Sequence, residues 1–129
     1  MLKIYHLKAY SPYSNTLESV KNDYPFHRWQ QSGLEQYTPK ACAAFQTVFD
    51  KLISKLAALG SDASEQEKIA LFKEAIEATN MLNEEDESLI ETGEREDLCE
   101  LTNRIATAAG IDPKKYGGGE GPASEWRDW

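Results

Sequence analysis

Only two cysteines and two histidines occur in this chain, and neither pair has a redox or metal-ligand spacing. Cys42 and Cys99 stand in helical patterns without a C-x-x-C arrangement, so they are expected as two packed thiols. His6 and His27 lie in an irregular N-terminal part and offer no zinc centre. No apolar run approaches the roughly 20 residues that cross a bilayer, and the start MLKIYHLKAYSPYS lacks the apolar stretch of a signal peptide. A cytoplasmic protein without membrane contact is the expectation. G-x-S-x-G, P-loop and nucleophile–base patterns are missing, so no catalytic residue, metal ligand or cofactor is assigned. Neither NEEDESLIETGE nor DPKKYGGGEGPA has the alternating oxygens, central glycine and terminal glutamate of an EF-hand loop.

Acidic residues are abundant and unevenly placed. Glu65 to Glu100 holds 13 acids against Lys68, Lys73 and Arg95, a balance of −10, which leaves the remainder of a −8 chain slightly basic at +2. A field of that sign repels phosphate backbones and attracts basic partners, which argues against nucleic-acid binding through this face. A length of 129 residues suits one domain with a single core.

Residues 1–37 have no sustained periodicity but hold seven of the 13 aromatics, Tyr5, Tyr10, Tyr13, Tyr24, Phe26, Trp29 and Tyr37. They are expected as an aromatic arm packed on helices, with at most one short turn through Leu17 and Val20 before Pro25. Residues 38–110 form the helical core. Thr38 as N-cap and Pro39 at the first helical position open a helix that stops at Gly60, with Phe45, Val48, Phe49, Leu52, Ile53, Leu56 and Leu59 as its apolar stripe. Ser64 and Glu67, in capping-box spacing, open a second. Its Ile69, Phe72, Ile76 line continues into Asn80 and Asn83, so two amides stand where a bundle would place aliphatics. A third helix is expected from about Ser88 to Ala109, ended by Gly110, with Leu98, Leu101, Ile105 and Ala108 as its stripe. Extended backwards, that stripe reaches Ile90, Glu94 and Glu91, and Gly93 marks either a propensity cost of about 1 kcal/mol or a close approach. Residues 111–129 comprise a short turn at Asp112-Pro113 and the tail GGGEGPASEWRDW, expected to fold back and bury at least Trp126.

Glu74 and Glu77 form E-x-x-E, and Glu94 and Asp97 form E-x-x-D. This resembles the magnesium-binding pattern of MazG-type nucleotide pyrophosphatases, in which carboxylates from two helices converge on metal. Helical phase opposes it, since Glu74 and Glu77 point to water while Glu94 points inward.

Tyr37-Thr38-Pro39-Lys40, then Glu77, Asn80, Leu82, Glu84 and Glu85, then Glu91-Thr92 with Arg95-Glu96, and the closing Arg127-Asp128-Trp129 resemble a family of small acidic bacterial helical proteins of unknown function. The likeness covers residues 37–129, with a shorter spacer between Glu85 and Glu91. It implies a helical fold and a bacterial source, and it marks Asn80, Glu91, Arg95 and Glu96 as a set. With Asn83 and Glu94 they are expected to form a polar clasp or pocket across the second and third helices, Arg95 pairing with a carboxylate.

The expected architecture is all-α, three principal helices in a small bundle with an aromatic N-terminal arm and a docked C-terminal tail. The expected function is a non-catalytic module for a protein with a basic surface, in its sharpest form an immunity or antitoxin protein covering the cleft of a basic toxin. Glu84, Glu85, Asp86 and Glu87 would steer that partner, and Trp29 or Trp126 would anchor it. The alternatives are the magnesium-dependent pyrophosphatase and a structural helical protein; the oligomeric state is left open.

Overall fold

A computed structural model describes residues 11–85 and 89–129. The described residues form three long helices, three short ones and 3-10 turns, with no strand among them, so the fold is an all-α small bundle. Along the chain these are α1 (Pro12–Ser19), a 3-10 turn Val20–Asp23, α2 (Phe26–Gln30), α3 (Pro39–Leu59), α4 (Glu65–Glu85), α5 (Thr92–Ala108), 3-10 turns Pro113–Lys115 and Gly117–Gly119, and α6 (Ala123–Trp126). None of these helices is long and apolar enough to cross a membrane.

The long helices begin and end where local chemistry dictates. Thr38 Oγ1 accepts from the Ala41 N–H at 3.1 Å, and Pro39 occupies the first turn of α3. Ser64 Oγ accepts from the Glu67 N–H at 3.1 Å while the Glu67 carboxylate reaches back to the Ser64 N–H, a reciprocal cap for α4. α5 ends in a Schellman turn: Gly110 adopts φ +83°, its N–H bonds Thr107 O, and the Ile111 N–H bonds Ala106 O. The third helix starts later than its periodicity suggested, at Thr92. Gly93 sits in its first turn with open space around it, so a close approach is not the reason for that glycine.

The arm is more ordered than its sequence implied. Ser11 caps α1, accepting from the Ser14 N–H at 3.1 Å, and Leu17 and Val20 are buried. Phe26 and Trp29 on α2 enter the core against Phe45 and Phe49 of α3, with Phe26–Trp29 edge to face at 5.2 Å and Trp29–Phe45 at 5.6 Å. Each such ring removes on the order of 150–250 Å² of apolar surface from water, so α2 is part of the core. Tyr5 and Tyr10 lie outside the described residues.

Polar anchors hold the arm and the helix ends. Tyr24 donates to Asp50 Oδ1 at 2.8 Å, and Tyr37 donates to the Leu89 carbonyl at 2.6 Å. Burial foremost pushes both phenols well above their usual value, with Asp50 adding to the effect at Tyr24. Lys68, only 7 % exposed, donates to the carbonyls of Ser61 and Ala109, each at 2.9 Å, and lies 5.2 Å from the Tyr13 ring centroid. Its ammonium therefore sits at the negative end of α5 and ties the first turn of α4 to the last of α5 and to α1.

Lys68→Met keeps the stem and removes these bonds; it is expected to lower unfolding stability by roughly 2–4 kcal/mol, read as a shift of the denaturant midpoint at unchanged m-value. Because the Tyr24 and Tyr37 phenols titrate higher folded than unfolded, their contribution is complete below the unfolded value of 10.0 and is lost as pH rises through it toward the folded values. Stability is thus expected to fall as pH rises above about 10, and Tyr24→Phe to remove part of that fall in denaturant titrations.

Candidate functional site

The acidic stretch and the tail come together at α4. Asn80, buried on the core side of that helix, donates through Nδ2 to the Trp126 carbonyl at 2.8 Å and accepts through Oδ1 from the Asp128 N–H at 2.9 Å. Beside it, Thr79 Oγ1 accepts from the Trp129 indole at 3.0 Å while donating to Ile76 O. α6 packs against both α4 and α5, so the tail bridges the two helices. Trp129 is buried and Trp126 half-buried, the reverse of the expected emphasis within a tail that does dock.

The glycine run is a folded turn. Gly117, Gly118, Gly119 and Gly121 all have positive φ. The Gly117 N–H donates to Glu125 Oε1 at 2.7 Å, and Asn103 Nδ2 donates to Glu120 O at 3.0 Å. At Gly121, φ is +121° and an added Cβ would lie 1.9 Å from Asn103 Oδ1, so a side chain there is strained and must push the Asn103 amide away from Glu120 O. Tyr116 donates to Glu65 at 2.5 Å, which fixes the start of the turn to α4 and pushes the phenol up to about 12, the hydrogen bond to Glu65 being the main cause. Arg127 bonds Ser124 Oγ at 3.3 Å and the Trp129 carbonyl, and its guanidinium lies 5.6 Å from the Trp129 ring centroid.

The expected clasp is divided among separate tasks. Asn80 holds the tail, not the third helix. Asn83 Oδ1 accepts from the Ile90 N–H at 2.8 Å and shapes the turn into α5. Glu91 accepts from Gln36 Nε2, and Glu94 lies beside the Tyr37 hydroxyl. Glu96 is exposed. Arg95 finds no carboxylate among the described residues; its Nε is buried without a hydrogen-bond partner. Helical phase alone placed these residues on facing sides, but the tail occupies the space between them.

Of the two tryptophans expected to anchor a partner, Trp29 is excluded by its position. It is 1 % exposed, and its indole N–H donates to Asp97 Oδ2 at 2.9 Å, an ion pair with Arg28 completing that carboxylate. A side chain with no accessible surface contributes nothing to an interface. Trp126 keeps part of its surface. Glu84 and Glu85 are exposed at the end of α4; Asp86 and Glu87 lie outside the described residues.

The four carboxylates of the pyrophosphatase pattern diverge. Glu74 pairs with Lys55 of α3, Glu77 faces solvent, Glu94 turns to Tyr37, and Asp97 serves Trp29 and Arg28. Among the described residues no three His, Cys, Asp or Glu side chains are grouped to hold a metal ion. Cys42 is buried and Cys99 half-buried, both as free thiols, and burial pushes each thiol up; at Cys99 the nearby Arg127 works against burial without reversing it.

Charge compensation differs between regions. Among the described residues, Glu18, Asp23, Asp50, Glu65, Glu74, Asp97 and Glu100 each have a lysine or arginine within 4 Å, whereas Glu77, Glu84, Glu85, Glu91, Glu94 and Glu96 have none. Acids elsewhere also lack a cation: Glu67, Asp112 and Glu125 accept from the N–H groups of Ser64, Lys114 and Gly117, and Glu35, Asp62, Glu120 and Asp128 are exposed without an ion pair among the described residues. Of the unpaired acids, Glu84, Glu85, Glu91, Glu94 and Glu96 flank the turn between α4 and α5. Sequence composition located this charge but gave no sign that the tail would lie beside it. No family model, characterised protein or solved structure matches the chain.

Asn80→Leu leaves the Trp126 carbonyl and the Asp128 N–H without partners and is expected to cost about 2–4 kcal/mol of tail docking. Limited proteolysis within residues 117–129 and a red shift of tryptophan emission would report it. Gly121→Ala is expected to undock the tail in the same assay, whereas Gly118→Ala, with open space around its Cβ and φ +65°, costs only about 1–2 kcal/mol.

Proposed function

We propose that the protein is a non-catalytic binding module whose α4–α5 end receives a protein with a basic surface. The supporting observation is the set of acids at that turn, exposed or half-exposed and without ion pairs, whereas Asp23, Asp50, Asp97 and Glu100 are paired with cations elsewhere on the bundle. Uncompensated like charges on a rigid helix end project a field that steers an oppositely charged partner and falls with added salt. Trp126, held by its backbone to Asn80 and partly exposed, would serve as the aromatic anchor. A surface that substitutes carboxylates for phosphates suits a partner that itself handles nucleic acid, which gives the reading its sharpest form: an immunity or antitoxin protein that covers the basic cleft of a toxin.

The test is parallel affinity capture from lysate of the source organism with the wild-type chain, Glu84→Lys/Glu85→Lys and Trp126→Ala as baits, at low and high salt. A basic protein is expected on the wild-type bait at low salt, released by high salt and missing from the charge-reversed bait. Trp126→Ala is expected to weaken binding about ten-fold or more. Retention of the same protein by the charge-reversed bait, with unchanged salt dependence, would sink the reading.

A further inference from the structure

Away from the acidic turn, α3 and α4 pair as an antiparallel hairpin through the connection at 60–64, and the outer side of their seam is lined by Val48, Leu71 and Ala78. Lys55 of α3 and Glu74 of α4 form an ion pair across it. The antiparallel register sets Leu59 level with Ala70 toward one end of the hairpin, and Val48 level with Met81 toward the other. Leu59 is 36 % exposed and Met81 61 % exposed; with Leu34 they are the exposed large apolar side chains among the described residues. The face therefore carries apolar positions at both ends and one positive and one negative wall at its middle.

We propose that this face is the interface of a homodimer in which the two hairpins pack as an antiparallel four-helix arrangement. Charge complementarity fixed by level favours a second copy as the occupant. A two-fold axis parallel to the helices, lying over the seam, sets α3 of each copy above α4 of the other and preserves height along the axis. Lys55 of each copy then meets Glu74 of the other, giving a square of alternating charges, and the Leu59 and Met81 levels close above and below it as apolar layers. A basic partner would be repelled by Lys51 and Lys55 on the α3 wall, and an acidic one by Glu67 and Glu74 on the α4 wall. Like helices sit on the diagonal, where their charges are farthest apart.

The experiment is sedimentation equilibrium on the whole chain across the micromolar range, with Lys55→Glu and Glu74→Lys made singly and then mixed. Both residues are exposed and their intramolecular pair contributes little, so each variant is expected to fold with wild-type far-UV circular dichroism. The wild type is expected at twice the chain mass. Each single variant places like charges in the square and is expected to associate at least about ten-fold more weakly. In an equimolar mixture of the two variants, one copy brings two carboxylates to the square and the other two ammonium groups. Every contact between copies then joins opposite charges, and the dimer is expected to recover. Intramolecular pairing does not explain that recovery, because each variant still carries its own like-charged pair. Met81→Asp, which removes an apolar level without touching the square, is expected to give monomer. A wild-type chain that stays monomeric, or a mixture that fails to associate, overturns the proposal.

Discussion

A single carboxamide decides how the last part of this molecule is arranged. The segment around Trp126 to Trp129 leaves helical geometry as it enters the space beside α4, and an irregular backbone in a partly buried place needs partners for its N–H and C=O groups. Asn80 supplies a donor and an acceptor from one rigid plane, meeting Trp126 O and Asp128 N together. Aspartate would offer only acceptors and leucine neither. With that pair of bonds in place, the Trp129 indole reaches Thr79 and the tail closes the side of the bundle between α4 and α5. The three long helices are thus completed by the tail, which accounts for an amide on a line otherwise made of Ile69, Phe72 and Ile76.

Helix caps were readable in advance where their bonds are short in sequence. Thr38 with Ala41, Ser64 with Glu67, and Asp112 with Lys114 each close within three residues, so a motif carries the whole interaction. The contacts that position the candidate site span far more chain: Lys68 to Ala109, Asn80 to Asp128, Trp29 to Asp97. Periodicity identified Asn80 as inward-facing but could not name its partner, and it led to a clasp with Arg95 that the tail displaces. Trp29 had no pattern to declare its depth, since α2 is only five residues long and shows no repeat. In sequence, Lys68 enters only as one of three cations among 13 acids. Its burial depends on where the end of α5 falls, which no local signal reveals.

The distribution of charge follows from the same architecture. Arginines that pack α1 and α2 onto the bundle neutralise acids there: Arg104 bridges Asp23 and Glu100, and Arg28 meets Asp97. The cations near the acidic turn are otherwise engaged. Arg127 is folded onto its own tail carbonyl and ring, and the Nε of Arg95 is buried. Among the described residues, neither pairs with Glu84 or Glu85.

The two proposed surfaces differ in a way that keeps their partners apart. A patch of one sign repels its own copy, so the α4–α5 turn suits a different protein; a face with one wall of each sign is complementary to itself, so the α3–α4 seam suits a second copy. An axis parallel to the helices has a further consequence, because it preserves height and carries both acidic turns to the same end of the dimer. At the roughly 8 Å screening length of physiological salt, turns separated by the width of a four-helix arrangement repel each other only weakly, while a basic partner approaching that end meets both. The dimer would then offer two sites side by side, and a partner or partner assembly able to span them would gain avidity without any new contact. Under the two proposals, self-association through the mixed face would reinforce recognition through the acidic one, and the division of charge between the faces is what would allow both.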